Sequence, residues 1–233
     1  MNTCCVFVCN KKYFGKFTNT CNQLIKKGNF KGDICLVIGD DLLNDNLLKS
    51  PIIVENNIIV KHFPDIKFSN EFLHIQKNLD RPPHWFQKMF QYHKFYLFTS
   101  FFKKWDYIFY MDSGIEIFDD VAPILNEATK NKLLAHSDAY PDYKWKLHLQ
   151  FGQDSELSKT FDLNINYFQS TIMLYDTNII EENTFGELME LANKYPKGKT
   201  NDQSYLALYF TNIKKYWEQI KIKNEKTYFY DYL

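Results

Sequence analysis

Arginine is almost absent: of 28 basic residues in the 233, only Arg81 is not lysine. Bidentate arginine clamps on phosphate are therefore nearly excluded. Acidic residues also number 28, so the net charge is zero and no nucleic-acid footprint exists. Cysteine is missing after position 35; Cys4, Cys5, Cys9, Cys21 and Cys35 have no later partners and no paired Cys-x-x-Cys spacing. They read as reduced, structural thiols in a reducing compartment. No run approaches the ~20 apolar residues of a membrane-spanning helix. The first nine residues are too short and lack the basic start of a signal peptide, so the expectation is a soluble, cytoplasmic protein. Internal repeats, low-complexity tracts and linkers are lacking too.

What is present suits one α/β domain over residues 1–233: 45% apolar and 24% charged residues, enough for a core and too balanced for disorder. Aromatics reach 18%, with clusters at 95–110 and 228–232 that read first as core. CCVFVC (4–9) and ICLVIGDD (34–41) are continuous apolar runs, as expected of strands covered on both faces. Between them Phe17, Cys21, Leu24 and Ile25 follow a helical spacing that closes on Gly28. IIVENNIIVKHF (52–63) reads as two short strand-like pieces, and 64–84 as polar and irregular.

A helix is expected over 85–102, a strand over 105–111, a short helix over 121–128 and a strand over 132–140. Residues 141–166 are irregular, a length that points to a functional loop. A strand (167–177), a helix (179–195) and a capped helix (200–212) follow. The order predicts a mostly parallel sheet between helical layers.

In such a sheet ligands bind beyond the carboxyl ends of the strands, near the point where strand order reverses. That rule gathers Asn10 and Tyr13, Asp40 and Asp41, Asp112-Ser113-Gly114, and His136 with Asp138. Carboxylates repeatedly set at strand exits are hard to explain by packing, because a buried unpaired charge is costly. Converging carboxylates suit a hard divalent cation such as Mg2+ or Mn2+. The plain structural alternatives are a turn or helix cap for Asp112, a hydrogen-bonded turn for His136 and Asp138, and a helix N-cap for Asp202.

CCVFVCN, ICLVIGDD, a helix bearing Lys88 and Lys94, YIFYMDSG, YFQSTIMLYDT and TNDQSYL stand in one order over residues 4–212. That ordered set resembles the nucleotide-diphosphosugar glycosyltransferases of the GT-A fold, glycogenin-like and viral ones in particular. The resemblance implies a three-layer, Rossmann-like single domain with a mostly parallel sheet. It implies transfer of a sugar, UDP-linked in the family's manner, to a hydroxyl of a glycan or glycoprotein. The donor would lie with its base near Asn10, Tyr13 and Asp40 and its phosphates at Asp112-Ser113-Gly114. Lys88 and Lys94 would neutralise charge, and Gln169 would line the sugar.

The family's Asp-x-Asp metal motif here reads Asp-Ser-Gly, so a second carboxylate is missing. Glu116 is about 13 Å along an extended strand and does not simply replace it. Asp112 is the expected metal ligand, with His136, Asp138, Asp202 or a water as the second and a metal-independent site as the alternative; proton transfer or sugar binding is expected at Asp202 and Asp138. Trp145 and His148 in the irregular loop are acceptor-side candidates, while His84 and Trp85 read as helix-capping. A nucleotidyltransferase would carry a glycine- and arginine-rich loop after the first strand, and CNKKYFGKF has one glycine and no arginine. A non-catalytic glycan-binding protein with the same fold is the other alternative, favoured by Gly114.

Overall fold

The computed structural model of the chain describes residues 2–140, 142–152 and 155–220. The aromatic cluster at 228–232 lies outside the described residues. Strand β1 (Thr3–Cys9) leads into helix α1 (Phe14–Lys26) and strand β2 (Asp33–Ile38). Helix α2 (Pro51–Glu55), strand β3 (Ile59–His62) and helix α3 (Asn70–Lys77) follow. A long 3-10 helix, Pro83–Phe98, carries the chain to strand β4 (Tyr107–Met111). Then come α4 (Ala122–Leu125), β5 (Leu133–Ser137), α5 (His148–Phe151), α6 (Ser155–Thr160) and β6 (Phe168–Asp176). Helices α7 (Thr184–Lys194) and α8 (Asp202–Leu208) and strand β7 (Trp217–Gln219) complete the described chain.

The strands form one sheet in the order β3-β2-β1-β4-β6-β5-β7. Only β6 runs against the others, pairing antiparallel with both β4 and β5. Continuous apolar strands are explained by two covered faces. Cys4, Val6 and Val8 enter one core layer with Cys35, Val37 and Tyr110, whereas Cys5, Phe7 and Cys9 enter the other with Leu36, Phe109 and Met111. Helix α1 covers the second layer with Phe14, Phe17, Cys21 and Leu24. The 83–98 helix and α8 cover the first through Tyr92, Phe95, Leu97, Leu206 and Leu208. Each such buried side chain contributes roughly 1.5–3 kcal/mol. The five cysteines are free and buried, with burial raising the thiols of Cys5, Cys9 and Cys21.

Local structure departs from the sequence expectation in several places; α5 and α6 lie within the 141–166 stretch expected to be irregular, and β7 was not expected. The first half of 52–63 is α2, not a strand, because Pro51 fits the first turn of a helix. Within 64–84, Ser69 caps α3 by accepting from the Phe72 amide at 3.1 Å. The 83–98 segment is a 3-10 helix kinked at Lys88 (φ −102°, ψ 26°) rather than a regular α-helix.

Candidate active site

Because every strand except β6 points the same way, the exits of β1, β2, β3, β4 and β5 share one edge, and β6 begins there. Strand order reverses between β1 and β4, where crossovers to opposite sides leave a crevice. Asn10 and Asp112 follow the two strands that flank it.

Asp112 continues the face of Tyr110, two residues earlier on β4, and that face meets the 83–98 helix. The Lys94 ammonium, on a side chain only 4% exposed, lies 3.0 Å from Asp112 Oδ1 and 3.0 Å from Asp202 Oδ2. It also reaches Ser170, at 3.2 Å to Oγ and 3.3 Å to the carbonyl. Ser170 Oγ donates to Asp202 Oδ2 at 2.8 Å, and Tyr110 Oη donates to Asp112 Oδ1 at 2.5 Å. Burial alone would depress the Lys94 ammonium, but Asp112 and Asp202 outweigh it and the net shift is upward. Burial pushes the Asp202 carboxyl up, against the downward pull of Lys94. Two carboxylates around one ammonium leave the cluster a net negative charge.

Gln203 extends the network sideways. Its Oε1 accepts from the Ser170 amide at 3.2 Å and its Nε2 stands 3.5 Å from Asp138 Oδ2. The same Asp138 oxygen accepts from Tyr167 Oη at 2.6 Å. Asp112, Lys94, Asp202, Ser170, Gln203 and Asp138 thus form one connected chain of polar contacts. Four of these were expected at the site. Ser170, Gln203, Tyr110 and Tyr167 were not singled out, although Ser170 adjoins Gln169 and Gln203 closes the Asn-Asp-Gln run.

The remaining expected residues take separate places. Asn10 Oδ1 accepts from the Tyr13 amide at 3.3 Å, shaping the turn after β1. The Lys11 amide donates to Asp41 Oδ2 at 2.9 Å, joining the exits of β1 and β2. Asp40 pairs with His62 at 2.7 Å and exchanges backbone-to-carboxylate bonds with Asp65, both 3.1 Å. Ser113 Oγ donates to the Val8 carbonyl at 3.3 Å. Gly114 holds φ +149°, a conformation that side chains rarely adopt, and a Cβ there would stand 3.5 Å from Lys16 Cδ. Gln169 Oε1 is buried with no hydrogen-bond partner, an orphaned acceptor at the start of β6. His136 sits at the irregularity in β5 and donates from Nδ1 to the Ser137 carbonyl at 2.7 Å.

Lys88 Nζ lies 5.2 Å over the Trp85 ring, and Trp85 stacks on His84. Trp145 is exposed in the loop beyond β5, and His148 opens α5. A separate cavity of about 410 Å³ opens at the exits of β2 and β3, lined by Asn44, Asp45, Lys49 and His62 among others.

Among the described residues no three His, Cys, Asp or Glu side chains gather into a cage for a metal. The donor set fits a cation of the Mg2+ kind only in its substrate-assisted form, with one carboxylate and the remaining ligands from phosphate and water. Both side-chain contacts of Asp112, from Lys94 and Tyr110, fall on Oδ1.

A three-layer sheet with a charged cluster beyond β1 and β4 defines an α/β protein of the GT-A glycosyltransferase type. The chain belongs to glycosyl transferase family 8, whose profile matches residues 4–227. No curated protein matches the sequence. Among solved structures it is similar to the galactosyltransferase LgtC in complex with donor and acceptor sugar analogs. The TM-score is 0.60 at 10% identity, over 93% of this chain and 72% of that one. Mouse xyloside xylosyltransferase 1 gives 0.53 at 13% identity over 94% and 84%. The mannosyltransferase Ktr4p from S. cerevisiae gives 0.53 at 13% over 94% and 68%. At these identities the likeness speaks for the fold. No helix among the described residues is long and apolar enough to cross a membrane.

Proposed function

We propose that this chain, as one domain over residues 1–233, transfers a sugar from a nucleotide-diphosphate donor, UDP-linked as in glycogenin-like enzymes, to a hydroxyl of a glycan or glycoprotein. The observation that carries this reading is the Lys94 ammonium held between Asp112 and Asp202 at the reversal of strand order. In the reaction the bond from sugar C1 to the diphosphate oxygen breaks, its electron pair leaving with the diphosphate. A bond from C1 to the acceptor oxygen forms, and the acceptor's proton departs to a base or to the diphosphate.

A bound Mn2+ or Mg2+, with Asp112 as its protein ligand, would supply positive charge where the leaving group becomes more negative. Lys94 holds the Asp112 and Asp202 side chains in place through contacts of 3.0 Å to each. Asp202 is 1% exposed and already bonded to Lys94 and Ser170, which favours orienting Lys94 and sugar hydroxyls over taking a proton from an incoming acceptor. Asp138, half-buried at the β5 exit, is the carboxylate left for proton transfer if the reaction inverts. Gln169 offers its unpartnered oxygen to a donor hydroxyl. Trp145, exposed beside this edge, suits stacking on an acceptor sugar.

The second reading, a glycan-binding protein without catalysis, is favoured by glycine at position 114. Thermal melting against a panel of sugar nucleotides with Mn2+ tests the first. Binding at one hundred times Kd adds roughly 2.7 kcal/mol to stability. A melting shift with one donor is expected; no shift with any of them would remove the transferase reading.

A further inference from the structure

Asp202 and Lys94 stand on different elements, and a network through Arg81 and Asn201 ties those elements together. We infer that Arg81 and Asn201 are positioning residues that lock the helix bearing Lys94 to the start of α8. The inference rests on the proposed transferase reading for its kinetic test only.

Asn201 directly precedes Asp202, is fully buried, and adopts φ 51°, ψ −123°. A residue with a Cβ is strained there, and strain of this kind persists only where surrounding contacts over-determine it. Those contacts are visible. Asn201 Nδ2 donates to the Trp85 carbonyl (2.9 Å), the Lys88 carbonyl (3.3 Å) and Gln91 Oε1 (2.9 Å). These acceptors belong to the turns around the Lys88 kink, where the regular helical dihedrals fail. One amide therefore binds the irregular turns of the 83–98 helix, and Lys94 lies just beyond Gln91.

The other end of that amide is held by the chain's single arginine. Arg81 Nη1 donates to Asn201 Oδ1 at 2.9 Å and to the Lys199 carbonyl at 2.7 Å. Nη2 donates to Gln76 Oε1 at 2.7 Å and to the Gln76 carbonyl at 3.2 Å. Gln76 Nε2 in turn donates to the Pro196 carbonyl at 2.5 Å and to the Gly198 carbonyl at 3.2 Å. The fork thus ties α3, the 196–201 segment and the 83–98 helix together. These guanidinium acceptors are all uncharged, so Arg81 acts on geometry; its planar fork sets two separate terminal nitrogens on two groups of acceptors, an arrangement that the single ammonium of lysine does not reproduce.

The test uses the full chain. Arg81→Lys and Asn201→Gly are compared with wild type in sugar-nucleotide turnover and in the NMR signal of the Lys94 ammonium. Asn201→Gly relieves the backbone strain while deleting the amide, and Arg81→Gln replaces Arg81→Lys if the latter does not fold. The lock predicts a fall in kcat on the order of 10–100-fold with donor KM nearly unchanged, the scale of a reacting group misplaced by about an ångström. It also predicts a shifted or exchange-broadened Lys94 signal in a folded protein. Wild-type kcat together with an unmoved Lys94 signal would overturn the inference. Variants that all fail to fold would assign the contacts to stability alone and overturn it equally. If the wild-type chain turns over no sugar nucleotide, the transferase reading falls, and the Lys94 signal decides the lock by itself.

Discussion

Lys94 Nζ and Asp202 Oδ2 lie 3.0 Å apart, with side chains 4% and 1% exposed. Such a pair makes separate demands on stability and on function. Two ions taken out of water recover their hydration only through each other and through fixed hydrogen bonds. Here Ser170 supplies those bonds to both partners.

Removing one partner leaves the other stranded. Lys94→Met is expected to lose on the order of 3–5 kcal/mol, the usual cost of breaking a buried pair. Adding Asp202→Asn should recover part of that loss, since the stranded charge goes with it. Urea unfolding of the two variants measures both effects; equal stability of Lys94→Met and wild type would deny that the pair is buried.

Asp202→Asn in the wild-type background separates binding from turnover. Transfer should fall by at least tenfold while nucleotide affinity, read by calorimetry, stays within about twofold of wild type. A loss of nucleotide affinity instead would move Asp202 into the phosphate site.

His93 gives the fold a pH dependence of known sign. Burial pushes its imidazole from 6.5 down to about 4, and its Nε2 stands 3.4 Å from Asp65 Oδ1 without a hydrogen bond. Between pH 6.5 and 4 the unfolded chain takes up a proton that the folded chain refuses, so this contribution is present above 6.5 and is lost as pH falls. The loss amounts to about 3 kcal/mol. His93→Phe keeps the stacking on Phe90 and should flatten that interval in unfolding midpoints measured from pH 7 to 4.

Gly39 is a steric requirement. A Cβ there would meet Asp65 Oδ1 at 2.3 Å and Phe90 Cε2 at 2.6 Å. Gly39→Ala should therefore separate Asp40 from Asp65 and cost about 1–3 kcal/mol. Thermal melting checks this, and a melting point equal to wild type would show that the loops after β2 and β3 yield freely.

The central strands β1, β2 and β4 were legible because they are nearly continuous apolar runs, expected where both faces are covered, whereas the short edge strand β7 (WEQ) carries no such signal. Asp112, Lys94, Asp202 and Asp138 were legible through their places after strands or in the resembled motifs. Ser170, Tyr110 and Tyr167 were not, since a hydroxyl in an apolar run carries no sign of what it will meet across the sheet. The most instructive gap is Arg81. Its isolation pointed only to the lack of phosphate clamps, and two of its partners, Lys199 and Asn201, lie 118 and 120 residues away. Periodicity cannot report a contact of that range. Pro51 and Ser69, by contrast, were local helix signals outweighed by the apolar pattern around the one and the polar composition around the other.

The direct test of the account is donor turnover by Asp112→Asn beside wild type, with Mn2+ or Mg2+ supplied and folding checked by melting. The variant keeps the shape of the side chain and loses its charge. Wild type should cleave one sugar nucleotide of the panel, and the folded variant should be slower by at least a hundredfold. A folded Asp112→Asn protein with wild-type turnover would contradict the assignment of the site.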